Sequence, residues 1–396
     1  MLTALAVGCS KSFPTVDENA WIYDESLPVP IQFGSLSSEV ATKAAIEHFP
    51  GGIYEHPFGV FAWDEDSSDG MQVSAESIFS AGYKRAVIST TSGTSTIRFQ
   101  EQGAEVNSAY YPMSSKYSYS FYAYHIGTEQ IAGSYTDDSY VLNLNFSEPF
   151  KDVLWGKCAD SDLPYGEGEG KIPHLYYKEG DTTPLVGFNA KFSRAAGKQT
   201  VVTKDKYFPV INFEHICTAF RFYAKADEMS QSEYYRLSDQ LKITSVSISN
   251  VPSAAELTVA SKDPANEGKF VPSSELCDVT MNFNPGISPK GYANPYPAEK
   301  GNVMKNAGTG DDRFFLPPGD YSNSNVTIGF TVDGRSETLD FPLVFEDGTT
   351  EFKAGKCYSF VVVFKTIEEI FLRATVSDWD DEHYTKIDPF DGFDNE

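Results

Sequence analysis

The sequence predicts an all-β protein made of two Ig-like β-sandwiches in series. Three observations carry that expectation. Short runs with apolar residues at every second position recur along most of the 396 residues. Clusters of Gly, Pro, Ser, Asn and Asp separate them, as turns require. Aromatic residues make up 14% of the chain, with 23 Tyr and 29 Phe, and such residues fill pleated, half-buried faces.

The elements follow in order. Residues 10–29 contain Pro14, Pro28 and Pro30 and read as a linker. The first strand is expected at Ile31–Phe33. Further strands are expected at Gly59–Trp63, Ala86–Thr90, Thr96–Gln100, Tyr117–His125, Tyr140–Phe146 and Ile216–Lys225. A second set covers Ile243–Ile248, Leu257–Ala260, Val279–Phe283, Phe314–Leu316, Val326–Val332, Leu339–Phe345, Tyr358–Phe364 and Phe371–Val376. These outnumber the roughly seven to nine strands of one sandwich, so two are required. The division falls between Ala226 and Ala255, giving a first sandwich over 30–250, a second over 251–380, and an acidic tail over 381–396.

The clearest alternation places Val326, Ile328, Phe330 and Val332 inward. Asp333-Gly334 then marks a hairpin turn. Pro342 assigns the following strand to a sheet edge, because proline has no N–H for a ladder. Near the end, Tyr358, Phe360, Val362 and Phe364 share one face after the turn at Ala354-Gly355-Lys356. Helix is expected only at Ser37–Phe49 and Asp227–Leu241, both short enough to depend on packing.

Composition narrows the function. A formal net charge of -25 repels phosphate backbones, which argues against nucleic-acid binding. The cysteines at 9, 158, 217, 277 and 357 form no CxxC pair and no zinc-type spacing. Cys158, Cys217, Cys277 and Cys357 are read as disulfides or buried thiols, and spacing does not choose between them. Ala6-Val7-Gly8-Cys9 ends a short apolar start and has the form of a bacterial lipobox, which makes Cys9 the candidate lipidation site. No apolar run reaches the ~20 residues of a membrane helix.

Each candidate site in the sequence also has a structural reading. His215 stands in Phe-Glu-His-Ile with no nucleophile motif beside it and is expected to be a hydrogen-bonded structural residue. Gly166-Glu-Gly-Glu-Gly170 lacks the lysine and strand–helix frame of a phosphate loop. Asp64-Glu-Asp66 with Asp69 lacks the spacing of a calcium loop. The strand around Phe121 is aromatic on both faces and is expected in the core, whereas Tyr110 and Tyr111 beside Pro112 are the candidates for exposed ligand contacts. No catalytic constellation, metal or cofactor site is expected.

Several phrases then line up in order. They are Ile31-Gln-Phe33 with Thr42-Lys43-Ala44, Tyr110-Tyr-Pro112, Tyr119-Ser-Phe-Tyr-Ala-Tyr-His125, Asn212-Phe-Glu-His215-Ile-Cys-Thr-Ala-Phe-Arg-Phe222, Phe315-Leu-Pro-Pro318, the Ala-Gly-Lys-x-Tyr run and Trp379. Together they resemble the fimbrillins of Bacteroides-type bacteria, the pilins with their tip and accessory subunits. The resemblance spans about residues 31–379. It implies two transthyretin-like sandwiches in a surface lipoprotein anchored to the outer membrane through Cys9. It also implies protease cleavage near the first strand and assembly with other pilus subunits by strand insertion, with a host protein or glycan as a further partner.

Two positions depart from that pattern. Lys43 stands where the family usually has the arginine that is cut. The chain after Trp379 continues with Tyr384, Ile387, Phe390 and Phe393 spaced by three, interrupted by Pro389 and Gly392 and rich in Asp and Glu. A donor strand needs period two, so the expected role is a tip or accessory subunit that accepts a strand and donates none. The alternative reading is a glycan-binding surface lipoprotein of a polysaccharide-uptake system.

Overall fold

The computed structural model describes residues 26–33, 58–64, 84–91, 94–101, 104–106, 109–111, 119–126, 133–135, 138–158, 188–190, 193–194, 208–226, 230–289, 302–305, 312–345, 348–365 and 370–378. The protein is all-β, as expected. The first half supplies β1 (Val29–Pro30), β2 (Phe58–Asp64), β3 (Lys84–Thr91), β4 (Thr94–Glu101), β5 (Ala104–Val106) and β6 (Tyr110–Tyr111). It continues with β7 (Tyr119–His125), β8 (Ser134–Tyr135), β9 (Ser139–Asn145), β10 (Leu154–Cys158) and β11 (Ile211–His215). The second half supplies β12 (Thr218–Ala226), β13 (Leu241–Pro252), β14 (Ala254–Ser261), β15 (Lys269–Pro272), β16 (Leu276–Ile287), β17 (Asn302–Val303) and β18 (Arg313–Leu316). The last are β19 (Gly319–Asp320), β20 (Asn325–Val332), β21 (Arg335–Pro342), β22 (Glu351–Phe352), β23 (Lys356–Phe364) and β24 (Ile370–Asp378).

Strands of the first half build a seven-stranded sheet in the order β11-β10-β7-β2-β3-β4-β5. In the second half, β17-β12-β23-β24, with β18 also on β12, lies in one core with β16-β13-β20-β21. Rings supply much of the filling. Phe222 stacks on Phe360 at 5.3 Å and meets Phe314 edge-on, while Phe220 packs edge-on to Phe352 at 4.9 Å. The expected inward face of β20 holds: Val326, Ile328 and Phe330 are buried. Its hairpin turns through Asp333 and Gly334, both at positive φ, the geometry that a tight two-residue hairpin requires. β21, with Pro342, is an edge strand, as the proline requires.

Strand pairings cross the middle of the sequence. β14, β9, β8 and β15 form one sheet, so a hairpin from beyond Pro252 pairs with Ser139–Asn145. The strand expected at Ile216–Lys225 is β12, Thr218–Ala226, and the residues just before it form a separate strand that was not expected, β11. β11 closes the seven-stranded sheet, and after Ile216-Cys217 the chain enters β12 at the centre of another. The first strand lies at Val29–Pro30, two residues earlier than expected, with Ile31–Phe33 continuing beyond the ladder.

The helix expected at 227–241 is Gln231–Gln240. Ser230 caps it: its hydroxyl accepts from the Glu233 N–H, and the Glu233 carboxylate accepts from the Ser230 N–H at 2.9 Å. The Ser230 hydroxyl, which also donates to the Glu233 carboxylate at 2.6 Å, and then that N–H hold the Glu233 carboxyl below its ordinary range. The expected helix at 37–49 lies outside the described residues. Among the described residues no disulfide joins Cys158, Cys217, Cys277 or Cys357, and Cys158, Cys217 and Cys357 are buried.

Candidate functional site

The first segment of the described chain lies in an apolar groove. Val29, Ile31 and Phe33 are buried at every second position, while Pro30 and Gln32 between them are half-buried. The segment pairs with β6 in antiparallel register, Val29 opposite Tyr111 and Pro30 opposite Tyr110. The Ile31 N–H donates to the Ala109 carbonyl at 2.9 Å. Antiparallel ladders alternate hydrogen-bonded and non-hydrogen-bonded pairs. Pro30 therefore falls at the position where β6 asks for no N–H, and the proline is tolerated there.

The groove floor belongs to the seven-stranded sheet. Phe33 meets Phe99 of β4 edge-on at 5.8 Å and Phe121 of β7 at 5.4 Å. Phe121 also touches Tyr111 at 6.1 Å and Phe188 at 6.3 Å. Upstream, the Arg194 guanidinium donates to the Leu27 carbonyl at 2.6 Å. The segment is thus held by three apolar side chains, a two-residue ladder and contacts to its backbone.

Tyr110 and Tyr111 divide. Tyr110 is 47% exposed, as expected of a contact residue. Tyr111 is 2% exposed, which corrects the expectation for that residue. Side chains alternate across a strand, and the Tyr111 ring is the one turned onto Phe121. Burial pushes its phenol well above the ordinary value, with the neighbouring Ser193 hydroxyl opposing that shift.

Strand β7 is buried on both faces, as its aromatic pattern predicted. Opposite the groove, the Tyr122 hydroxyl donates to Glu267 Oε1 at 2.7 Å, and Lys157 Nζ reaches Glu267 Oε2 at 2.7 Å. Trp155 Nε1 donates to the Val259 carbonyl at 2.8 Å, at the bulge in the β14 ladder. Gly268, at φ +66°, lies against the Trp155 ring, where a Cβ would come within 2.7 Å. These contacts tie the β14–β15 hairpin to the seven-stranded sheet.

His215 ends β11 with Nδ1 2.5 Å from Asp152 Oδ2, both side chains buried. It is the hydrogen-bonded structural residue expected, placed where the chain leaves one sheet for the next. Among the described residues, no group of three or more His, Cys, Asp or Glu side chains is arranged to hold a metal, and no helix is long and apolar enough to cross a membrane. Cys9, Lys43, Trp379, the Gly166–Gly170 run, Glu65, Asp66, Asp69 and the tail lie outside the described residues.

Sequence reasoning marked Ile31, Phe33 and Tyr111 but missed Phe99, Arg194, Lys157 and Glu267. The first could have been found from the period-two pattern Ile97, Phe99. The other three are isolated in sequence and acquire partners only in the fold.

Residues 194–379 match the model of a family described as fimbrillin-like. No curated protein matches the chain. Among solved structures, the chain is similar to a candidate cell adhesion protein from Bacteroides uniformis, with 16% identity and a TM-score of 0.48, covering 90% of this chain and 100% of that one. It is also similar to a fimbrial protein from Bacteroides vulgatus, with 11% identity and a TM-score of 0.38, covering 89% and 99%. A third is the C-terminally truncated tip fimbrial protein Mfa3 from Porphyromonas gingivalis, with 9% identity and a TM-score of 0.32, covering 89% and 99%.

Proposed function

We propose that this chain, fimbrillin-like over residues 194–379, is a cell-surface pilus subunit that accepts a strand from a neighbouring subunit in the groove now filled by its own Val29–Phe33. The observation that carries the reading is that groove. Three alternate apolar side chains enter it, and among the described residues the backbone they hang from forms a ladder of two residues. Replacing one extended segment by another conserves both kinds of contact, which is the physics of β-augmentation.

Cleavage after Lys43 would free the resident segment from the rest of the chain, and Cys9 would tether the uncut precursor by lipid to the outer membrane. A division into two sandwiches belongs to the same proposal, with the boundary moved from 250 to before β12, because β12 and β13 ladder with β23, β16 and β20 of the second half, and with the β14–β15 hairpin reaching back across it. The tail leads us to a tip or accessory role over a stalk role. Asp and Glu spaced through residues 380–396 would be carried into an apolar groove at a cost of several kcal/mol. The role is structural or adhesive, and no catalytic step is assigned to it.

A staple tests acceptance. Val29 and Tyr111 face each other across the ladder, so Val29→Cys with Tyr111→Cys brings two thiols to disulfide range. Mixed with a fimbrillin stalk subunit and a trypsin-like protease, the wild-type chain is expected to form a complex that survives mild SDS. The oxidised double variant forms none until it is reduced. Equal complex formation by the oxidised variant would remove the groove from the account. Fusing residues 380–396 to a stalk pilin lacking its donor strand tests the second half, since polymerisation of that fusion would contradict an accept-only role. Glycan-array binding by the monomer would favour the polysaccharide-uptake alternative, although the Tyr110–Tyr111 pair does not form a two-ring platform for it.

A further inference from the structure

We infer that the groove selects its incoming strand, taking an extended peptide of the form aliphatic-x-aliphatic-x-aromatic and discriminating chiefly at the aromatic position. This rests on the reading of the groove as a strand acceptor and deepens it by naming what the partner's strand must present.

The contacts to the resident segment fall into two kinds. Arg194 with the Leu27 carbonyl, and the Ala109 carbonyl with the Ile31 N–H, touch main-chain atoms that any extended peptide offers. They give affinity without reading sequence. Pro30, at a pair where the ladder asks for no N–H, shows that the second position tolerates even the residue strands exclude most strongly. Selection is left to the three inward positions.

Those positions differ in their surroundings. Val29 is β-branched and completely buried opposite Tyr111. Phe33 enters a set of rings. It is edge-on to both Phe99 and Phe121, at interplanar angles of 64° and 79°. Phe121 is held in turn by Tyr111 and Phe188. These rings stand on four separate stretches of chain, and Phe121 is fully buried, so the wall cannot close readily around a smaller guest. A leucine there loses both edge-to-face contacts, and an alanine leaves a cavity.

The test uses the whole chain. A protease site inserted between Gly34 and Ser38 is cut after folding, leaving residues 1–34 seated without a covalent tie. Fluorescent peptides of residues 26–34, carrying Phe, Tyr, Leu or Ala at position 33, then compete for the groove. Phe is expected to bind about tenfold more tightly than Leu. Against Ala the preference is on the order of a hundredfold or more. Introducing Phe121→Leu into the cut protein should shrink the Phe-to-Leu preference by severalfold, since the lost ring is the one being read. Peptides that enter the groove with equal affinity whatever stands at position 33 would overturn the selection while leaving strand acceptance standing. Failure of every peptide to enter would overturn both.

Discussion

The segment Val29–Phe33 and strand β23 share a pattern but differ in how they are held. Both alternate apolar side chains, and both bury them. β23 pairs with β12 along eight positions and with β24 along nine. Its other face is buried as well, where Val361 and Val363 meet Tyr223. The first segment has one described neighbour and a ladder of two. The difference teaches that burial alone does not make a strand permanent. A strand laddered on both sides leaves only with the whole core, while one laddered briefly on one side can leave by itself.

The largest expected effect attacks β23. Phe360→Ala removes a fully buried ring that stacks on Phe222 and should lower global stability by about 3–5 kcal/mol in denaturant titration. Phe33→Ala removes a ring of the same size, yet its global cost should stay below about 3 kcal/mol, because detaching the segment limits what can be lost. Its main readout is faster proteolysis within residues 26–33. Equal global losses for the two variants would erase the comparison.

A third variant works on the far side of β7. Glu267→Gln weakens the contacts to Lys157 and Tyr122 without touching the groove. A loss of about 1–3 kcal/mol is expected in denaturant titration, with proteolysis of the first segment unchanged. Gly334→Ala places a Cβ at φ +80° in the exposed β20–β21 turn, where nothing lies within 4 Å. It should cost about 1 kcal/mol through backbone strain alone, measured by thermal unfolding.

The smallest effect is a pH slope. Burial raises the Tyr111 phenol above its ordinary value of 10.0, so the unfolded chain ionises first. The stability this provides is complete below pH 10.0 and declines as pH rises above it. Tyr321, also buried and raised, adds to the same slope from the second half. Tyr111→Phe should flatten the part that belongs to the groove, followed by denaturant titration across alkaline pH.

Much of this was legible in the sequence where a residue's role follows from its neighbours. The β20–β21 hairpin was written in Val326, Ile328, Phe330 and Asp333-Gly334, and the edge position of β21 in Pro342. β7 announced its burial by rings on both faces. Other features failed for physical reasons. The break at Ile216-Cys217 is a change of sheet partner inside one apolar run, and no local pattern records which sheet a strand joins. β10, Leu154–Cys158, is interrupted by Gly156 and Lys157, so its alternation was too weak to see. Tyr111 was misjudged because a short strand beside Pro112 gives no sign of which face looks inward. At the candidate site, the apolar segment and its aromatic floor were present in the text, but Arg194 and Glu267 earn their roles from partners more than 100 residues away.

The central claim is that the first segment can leave the groove while the rest of the fold stays intact. Hydrogen exchange on the full chain at neutral pH measures this directly. The account predicts that the amides of Ile31 and Tyr111 exchange by local opening, orders of magnitude faster than those of Phe360 and Val362, and independently of mild denaturant. Protection of Ile31 equal to that of Phe360, falling with denaturant along the same global slope, would contradict it.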